Sequence, residues 1–200
     1  MRVFFLFPFL LAPLVSVFAS SPALAAGKTE ILGKFGYWTA YAMQENKQPV
    51  CYMSIMARSP KGEKAKRGDV ILMITHRPGE NVTDVVSYTA GMKFKPGSEA
   101  VIGVDSRQFS LFTQDDTAWS RDSATDRAVS AALRKGSNAI VTGVASNGTK
   151  ISDTVNLKGS AAAYKAISKA CGLSPSEGSA AKSVNKTSAK PAKRSPKKKK

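Results

Sequence analysis

Histidine is almost absent from this chain. Its 200 residues hold one, His76, together with two cysteines, Cys51 and Cys171. A Ser-His-Asp triad therefore has a single candidate base, at the end of an apolar run beside Arg77 and Pro78, with no acid or serine close in sequence. A lone histidine so placed is read as structural or solvent-exposed rather than catalytic. A zinc site needs clustered Cys and His ligands, which are lacking. Also missing are a Walker loop, a GxGxxG after a strand and a nucleophile elbow. Asp115, Asp116, Asp122 and Asp126 lie near one another, but their spacing matches no calcium loop. They read as a polar loop leading into a helix cap. No catalytic residue, no metal ligand and no cofactor is assigned. Paired carboxylates for glycoside hydrolysis stay open, because their separation is a property of space rather than of sequence.

Long apolar runs are scarce too. The one that stands out is residues 3–18, preceded by Met1-Arg2 and followed by Ala23-Leu24-Ala25. A short positive start, an apolar stretch and a small-x-small site describe a secretory signal, cleaved after Ala25 or Ala26. The run is shorter than the ~20 residues a spanning helix needs, so an uncleaved anchor is the weaker alternative. Export implies the periplasm or cell envelope, or secretion beyond it. In such oxidising surroundings a disulfide persists, and two thiols allow one pairing, Cys51 with Cys171. The alternative is two buried free thiols. The bridge closes a loop that the chain-entropy model values at about 5 kcal/mol.

What the chain does have is a succession of short strand patterns. Residues 35–42 are dense in aromatics, 50–57 carry Cys51 on the same face as Ile55, and 69–76 form the strongest apolar run. Residues 27–33 read as a polar entry and 60–68 as a charged loop. Further strands are expected at 82–89, 100–105 and 107–113, the last two joined at Asp105-Ser106, then a polar run over 114–122. Asn147-Gly148 marks a hairpin between 138–145 and 150–157. Two helices interrupt the strands. One opens at Ser123, which forms a capping-box pattern with Asp126, and carries Val129, Ala132 and Leu133 before ending at Gly136. The other spans 158–172. It is capped by Ser160 and ended by Gly172, with Tyr164, Ile167, Ser168 and Cys171 along one stripe. Seven to nine strands in succession with two short helices predict a mainly β domain, an antiparallel sandwich over residues 27–172.

Residues 173–200 change character. Beyond Val184 no apolar residue is larger than alanine, and eight Lys and one Arg against one Glu give this segment +8 of the formal +16. Such a composition has too little apolar area to order itself. Lys190, Lys193, Arg194, Lys197, Lys198, Lys199 and Lys200 form a cationic brush suited to anionic lipids, phosphates or sulfated glycans of an envelope or a host surface. Nucleic acid is set aside because of the export signal and because no aromatics interleave the lysines. No protein partner is assigned. The bland alternative is a solvated tail that aids solubility.

Several short motifs carry a resemblance. Phe35-Gly36-x-Trp38-Thr39, the strand holding Cys51, Ala132-Leu133-x-Lys135-Gly136 before a hairpin, and Asn156-Leu157-Lys158-Gly159 before an alanine-rich helix resemble the invasion-associated locus B family of exported bacterial proteins. The resemblance covers residues 35–172 and departs from the family pattern at Ala42, where many members carry a cysteine. It implies an immunoglobulin-like β-sandwich in the envelope of an α-proteobacterium, with some relatives linked to entry into host cells, and it carries over no catalytic residues. The expected function is a non-enzymatic envelope protein with a surface-contacting tail. A secreted carbohydrate-active enzyme and a small-ligand or chaperone-like binding module are the alternatives.

Overall fold

A computed structural model describes residues 28–56 and 67–174. The signal pattern, most of the charged loop and nearly all of the basic tail, with its seven named cations, lie outside the described residues. Among the described residues the chain forms β1 (Glu30–Phe35), β2 (Trp38–Glu45), β3 (Gln48–Met56), β4 (Ile71–Arg77) and β5 (Val82–Thr89). It continues with β6 (Glu99–Val104), β7 (Arg107–Gln114), β8 (Thr117–Trp119), α1 (Ser123–Lys135), β9 (Asn138–Val144), β10 (Lys150–Asn156) and α2 (Ser160–Ala170). The mainly β fold with two helices is what the sequence led one to expect. All strand pairings are antiparallel, in the order β1-β2-β3-β4-β5-β8-β7-β6-β9-β10.

Tight turns set this register. Asn46 and Lys47 both take positive φ between β2 and β3, which matches the twist of a two-residue hairpin. Asp105 and Asp115 take left-handed φ in the β6–β7 and β7–β8 turns. Two strand expectations change here. The aromatic run 35–42 is not one strand, because Gly36 (φ 60) turns the chain between β1 and β2, and the expected polar entry instead supplies β1. Within the polar run 114–122, Thr117–Trp119 is the short strand β8, held by Ser87–Thr89 of β5 on one side and β7 on the other. Its three residues are too few for an alternation pattern to show.

The strands beyond β6 fold back over β2–β5. A single apolar core results, with Trp38, Met53, Leu72, Ile74 and Val86 from one wall and Ile102, Leu111, Val141 and Val155 from the other. Val129 and Leu133 of α1 and Ile167 of α2 complete it. Both helix starts differ from the capping pattern. Asp122, one residue before Ser123, caps α1 by accepting from the Thr125 amide at 2.8 Å, which leaves Asp126 to reach across to β5. At α2 the cap position is Gly159, and Ser160 is buried with its hydroxyl donating to Leu133 O at 2.8 Å. The end of α2 is as expected, with Gly172 left-handed at φ 67 and the Leu173 amide returning to Ser168 O at 2.8 Å.

The fold-back is pinned where two turns meet. Gly36 and Gly159 lie backbone to backbone, so a Cβ on Gly159 falls on Phe35 O and one on Gly36 falls on Lys158 O. The Tyr37 amide donates to Lys158 O and the Trp38 indole to Asn156 O, each at 3.2 Å. The Cys51–Cys171 disulfide, with Cα atoms 5.9 Å apart, then ties α2 to β3 across a separation of 120 residues.

Gly159→Ala is expected to destabilise by about 2–4 kcal/mol, combining positive-φ strain with a backbone clash. Gly148→Ala, at φ 85 with open space around its Cβ position, is expected to cost about 1 kcal/mol, from strain alone. Denaturant melts of the two variants check the difference. Replacing both cysteines with alanine is expected to cost about 2–5 kcal/mol in the same melts.

Candidate functional site

Among the described residues two buried polar clusters and one open groove stand out as places where chemistry or recognition can reside. The first cluster surrounds His76. The β4–β5 register shifts between Thr75 and Arg77, and Asp84 opposite takes a left-handed φ of 63. That bulge turns the Asp84 amide onto His76 Nδ1 at 3.1 Å. Nδ1 is thus an acceptor, so the proton sits on Nε2, which donates to Ser168 Oγ of α2 at 3.3 Å. Asp84 Oδ1 accepts from Ser130 of α1 and Tyr164 of α2, both at 2.8 Å. Arg134 stacks over the Tyr164 ring at 4.1 Å. Burial, chiefly, pushes the His76 pKa below its ordinary 6.5; Asp84 acts against this and Arg134 with it. Burial and the bond to Asp84 push the Tyr164 hydroxyl up to about 12. Both imidazole nitrogens are engaged and the ring is fully buried, so His76 joins β4, β5 and α2 as a structural residue.

The second cluster joins the two walls of the core. Asp153 of β10 is fully buried and receives the Arg67 guanidinium on both oxygens and the Tyr88 hydroxyl of β5 on one. Arg67 Nε also donates to Ala90 O at 2.5 Å. Burial, then the bond to Asp153, hold the Tyr88 hydroxyl far above its usual range. A buried carboxylate paired on both oxygens is retained; one stripped of its partner costs about 3–5 kcal/mol.

The sequence holds a trace of both clusters that a search for motifs misses. Asp84 shares its strand face with Val86 and Tyr88, and Asp153 shares its face with Ile151 and Val155. An acid in the apolar phase of a strand is the signal of a buried partner. The side-chain partners of these two carboxylates are 46 to 86 residues away and have no local signature.

The open feature is a groove of about 600 Å³ where β10 comes up against β2 and β3. Tyr37, Tyr41, Met56, Asn138, Thr154 and Asn156 line it, and among the described residues none of those lining it is charged. Tyr37 is 55% exposed and Met56 63%. Tyr41 stands against Tyr52 with ring centroids 4.7 Å apart, so its ring is held upright on the sheet. The expected site residues Cys51 and Cys171 are joined as a disulfide, away from this groove. Among the described residues there is no group of three or more His, Cys, Asp or Glu side chains placed to hold a metal ion. Asp122 and Asp126 are used as a helix cap and as an acceptor for the Val86 amide.

Residues 38–168, roughly two thirds of the chain, match the model of a protein family described as invasion associated locus B (IalB) protein. No curated protein matches the chain. Among solved structures, the crystal structure of invasion associated protein B from Bartonella henselae is similar, with 16% identity and a TM-score of 0.48. The match covers 70% of this chain and 95% of that one.

The His76 cluster gives a pH dependence. With its folded pKa below the unfolded value of 6.5, the folded state binds fewer protons than the unfolded one as pH falls below that value. The stability held above pH 6.5 is therefore lost as pH drops toward the folded pKa. Between pH 7.5 and 5.5 the loss is expected to reach about 1 kcal/mol. His76→Gln is expected to be less stable at pH 7.5 and to show a flatter profile, read from urea midpoints across that interval.

Proposed function

The chain belongs to the invasion associated locus B family, and from that premise we propose that it is a non-enzymatic exported protein of the envelope. In this reading the folded unit is a rigid carrier and recognition surface, and the basic tail contacts anionic polymers or lipids of the cell's own envelope or of a host. The observation that carries the reading is the Cys51–Cys171 disulfide. A bridge closing so long a loop suits a protein that matures in an oxidising compartment, in agreement with the signal pattern at residues 1–26. The buried polar groups support a binding role over a reacting one. His76, Asp84, Asp126 and Asp153 are all taken up in bonds that hold strands and helices together. A role in host-cell entry is the finer form of the proposal, supported by the family name. The tail's role rests on Lys190, Lys193, Arg194 and Lys197 through Lys200.

Two measurements test this. Intact mass of the protein from its native cell is expected to begin at Ala26 or Gly27, with both thiols unreactive until reduction. An unprocessed chain with two free thiols would overturn the compartment. Binding to vesicles containing anionic lipid, and to heparin, is expected to fall at least about tenfold when the chain ends at Gly172, and to weaken steeply with salt. Equal binding with and without residues 173–200 would remove the tail from the mechanism.

A further inference from the structure

The two edges of the sheet are built differently. β1 carries a bulge between Ile31 and Gly33 and bears Glu30 and Lys34, devices that discourage a further strand. Among the described residues β10 pairs with β9 in unbroken register over seven residues, with no bulge and no proline; its charges are Lys150 at the start and Asp153, whose carboxylate is turned inward and paired with Arg67. The Leu157 amide bonds to Ser137 O, which sets the alternation along this pair. Residues 151, 153, 155 and 157 therefore bond to β9, while the main-chain groups of Ser152, Thr154 and Asn156 point to the open edge. One of these outward groups is used, since Asn156 O accepts the Trp38 indole. Ser152, Thr154 and Asn156 are all exposed.

This edge forms one side of the uncharged groove. Thr154 and Asn156 face Tyr41 and Met56 across it, and Asn138 continues it into a second, smaller concavity beside Ile140, which is 50% exposed. An edge with free amide and carbonyl groups calls for a main chain. A wall of aromatic, methionine and hydroxyl side chains, without charge, calls for side chains of the same kind. We propose that the β10 edge and its groove take an extended, uncharged peptide segment of another protein, added to the sheet as an eleventh strand. Apolar side chains at alternate positions of that segment lie against Tyr37, Tyr41 and Met56, and its backbone bonds to Ser152 and Thr154. A second copy of this chain is disfavoured as the occupant, since each mature copy keeps +15 of the formal +16 once Arg2 leaves with the signal. The inference stands apart from the tail and from the compartment, and its failure leaves both intact.

The probe is a capped heptapeptide alternating threonine and valine, added to the mature, disulfide-closed full chain and followed by amide hydrogen exchange. Addition is expected to slow exchange at Ser152 and Thr154 at least about tenfold at peptide concentrations on the order of millimolar or below. A peptide N-methylated at every second residue along the pairing edge is expected to give no protection. Met56→Ala and Thr154→Pro are expected to weaken the effect; the N-methylated peptide keeps the test valid if the proline variant does not fold. No protection by the plain peptide, or equal protection by both peptides, would overturn the proposal. So would edge protection that rises with protein concentration in the absence of peptide, which would assign the edge to a second copy. Protection by a neutral oligosaccharide and not by the peptide would assign the groove to a glycan and overturn it as well.

Discussion

The structure depends on the contact between two glycine turns. Gly36 ends β1 and Gly159 opens α2, and their backbones touch because neither carries a side chain. Once they touch, the β1–β2 hairpin, the end of β10 and the start of α2 are fixed with respect to one another. Trp38 is then close enough to bond Asn156 O, and its ring enters the core fully buried. A sheet of this length, twisted as all sheets are, tends to curl. The glycine contact decides how far the curl proceeds and which strand ends meet. The two short motifs that carried the family resemblance, around Phe35-Gly36-x-Trp38 and Asn156-Leu157-Lys158-Gly159, are the two sides of this one contact.

Around that pin the molecule uses polar clusters and one covalent bond to hold surfaces that apolar contact alone would leave free to slide. Arg67, Tyr88 and Asp153 fix β10 over β5, and the His76–Asp84 cluster fixes both helices to β4 and β5. Each cluster is nearly saturated with partners, which is the condition under which buried polarity is tolerated. The disulfide sits beside the His76 cluster, with Cys51 paired to His76 in the sheet. His76, the buried aspartates and both cysteines are thus committed to structure. Among the described residues the folded unit leaves available a groove lined by uncharged side chains and the edge of β10 beside it.

The proposed binding role accords with that distribution. A rigid body with internally satisfied polar groups suits recognition, since little conformational entropy is lost when a partner docks on an ordered surface. In the proposed reading the edge and groove select for shape and main-chain hydrogen bonding, whereas the cationic segment selects for charge and acts at longer range. The two modes are complementary, and they belong to different parts of the chain.

Much was legible from residues alone. The alternation of 82–89, the Asn147-Gly148 hairpin, the face of α2 bearing Cys171 and the pairing of the two thiols follow from periods of 2 and 3.6 and from cysteine arithmetic, which are local or enumerable. The three-residue β8, the edge strand β1 and the N-terminal caps of both helices were missed or misplaced. Short elements have no period, and Asp122 competes with its neighbour Ser123 on equal local terms. Sequence by itself determined the fold class, the disulfide partners and the cationic segment, because each depends on composition or on spacing along the chain. Tertiary structure alone decided that Gly36 meets Gly159, that Asp153 meets Arg67, and that β10 is left with an open edge beside a groove. These contacts join residues far apart in the chain, and only the path of the folded backbone brings them within reach.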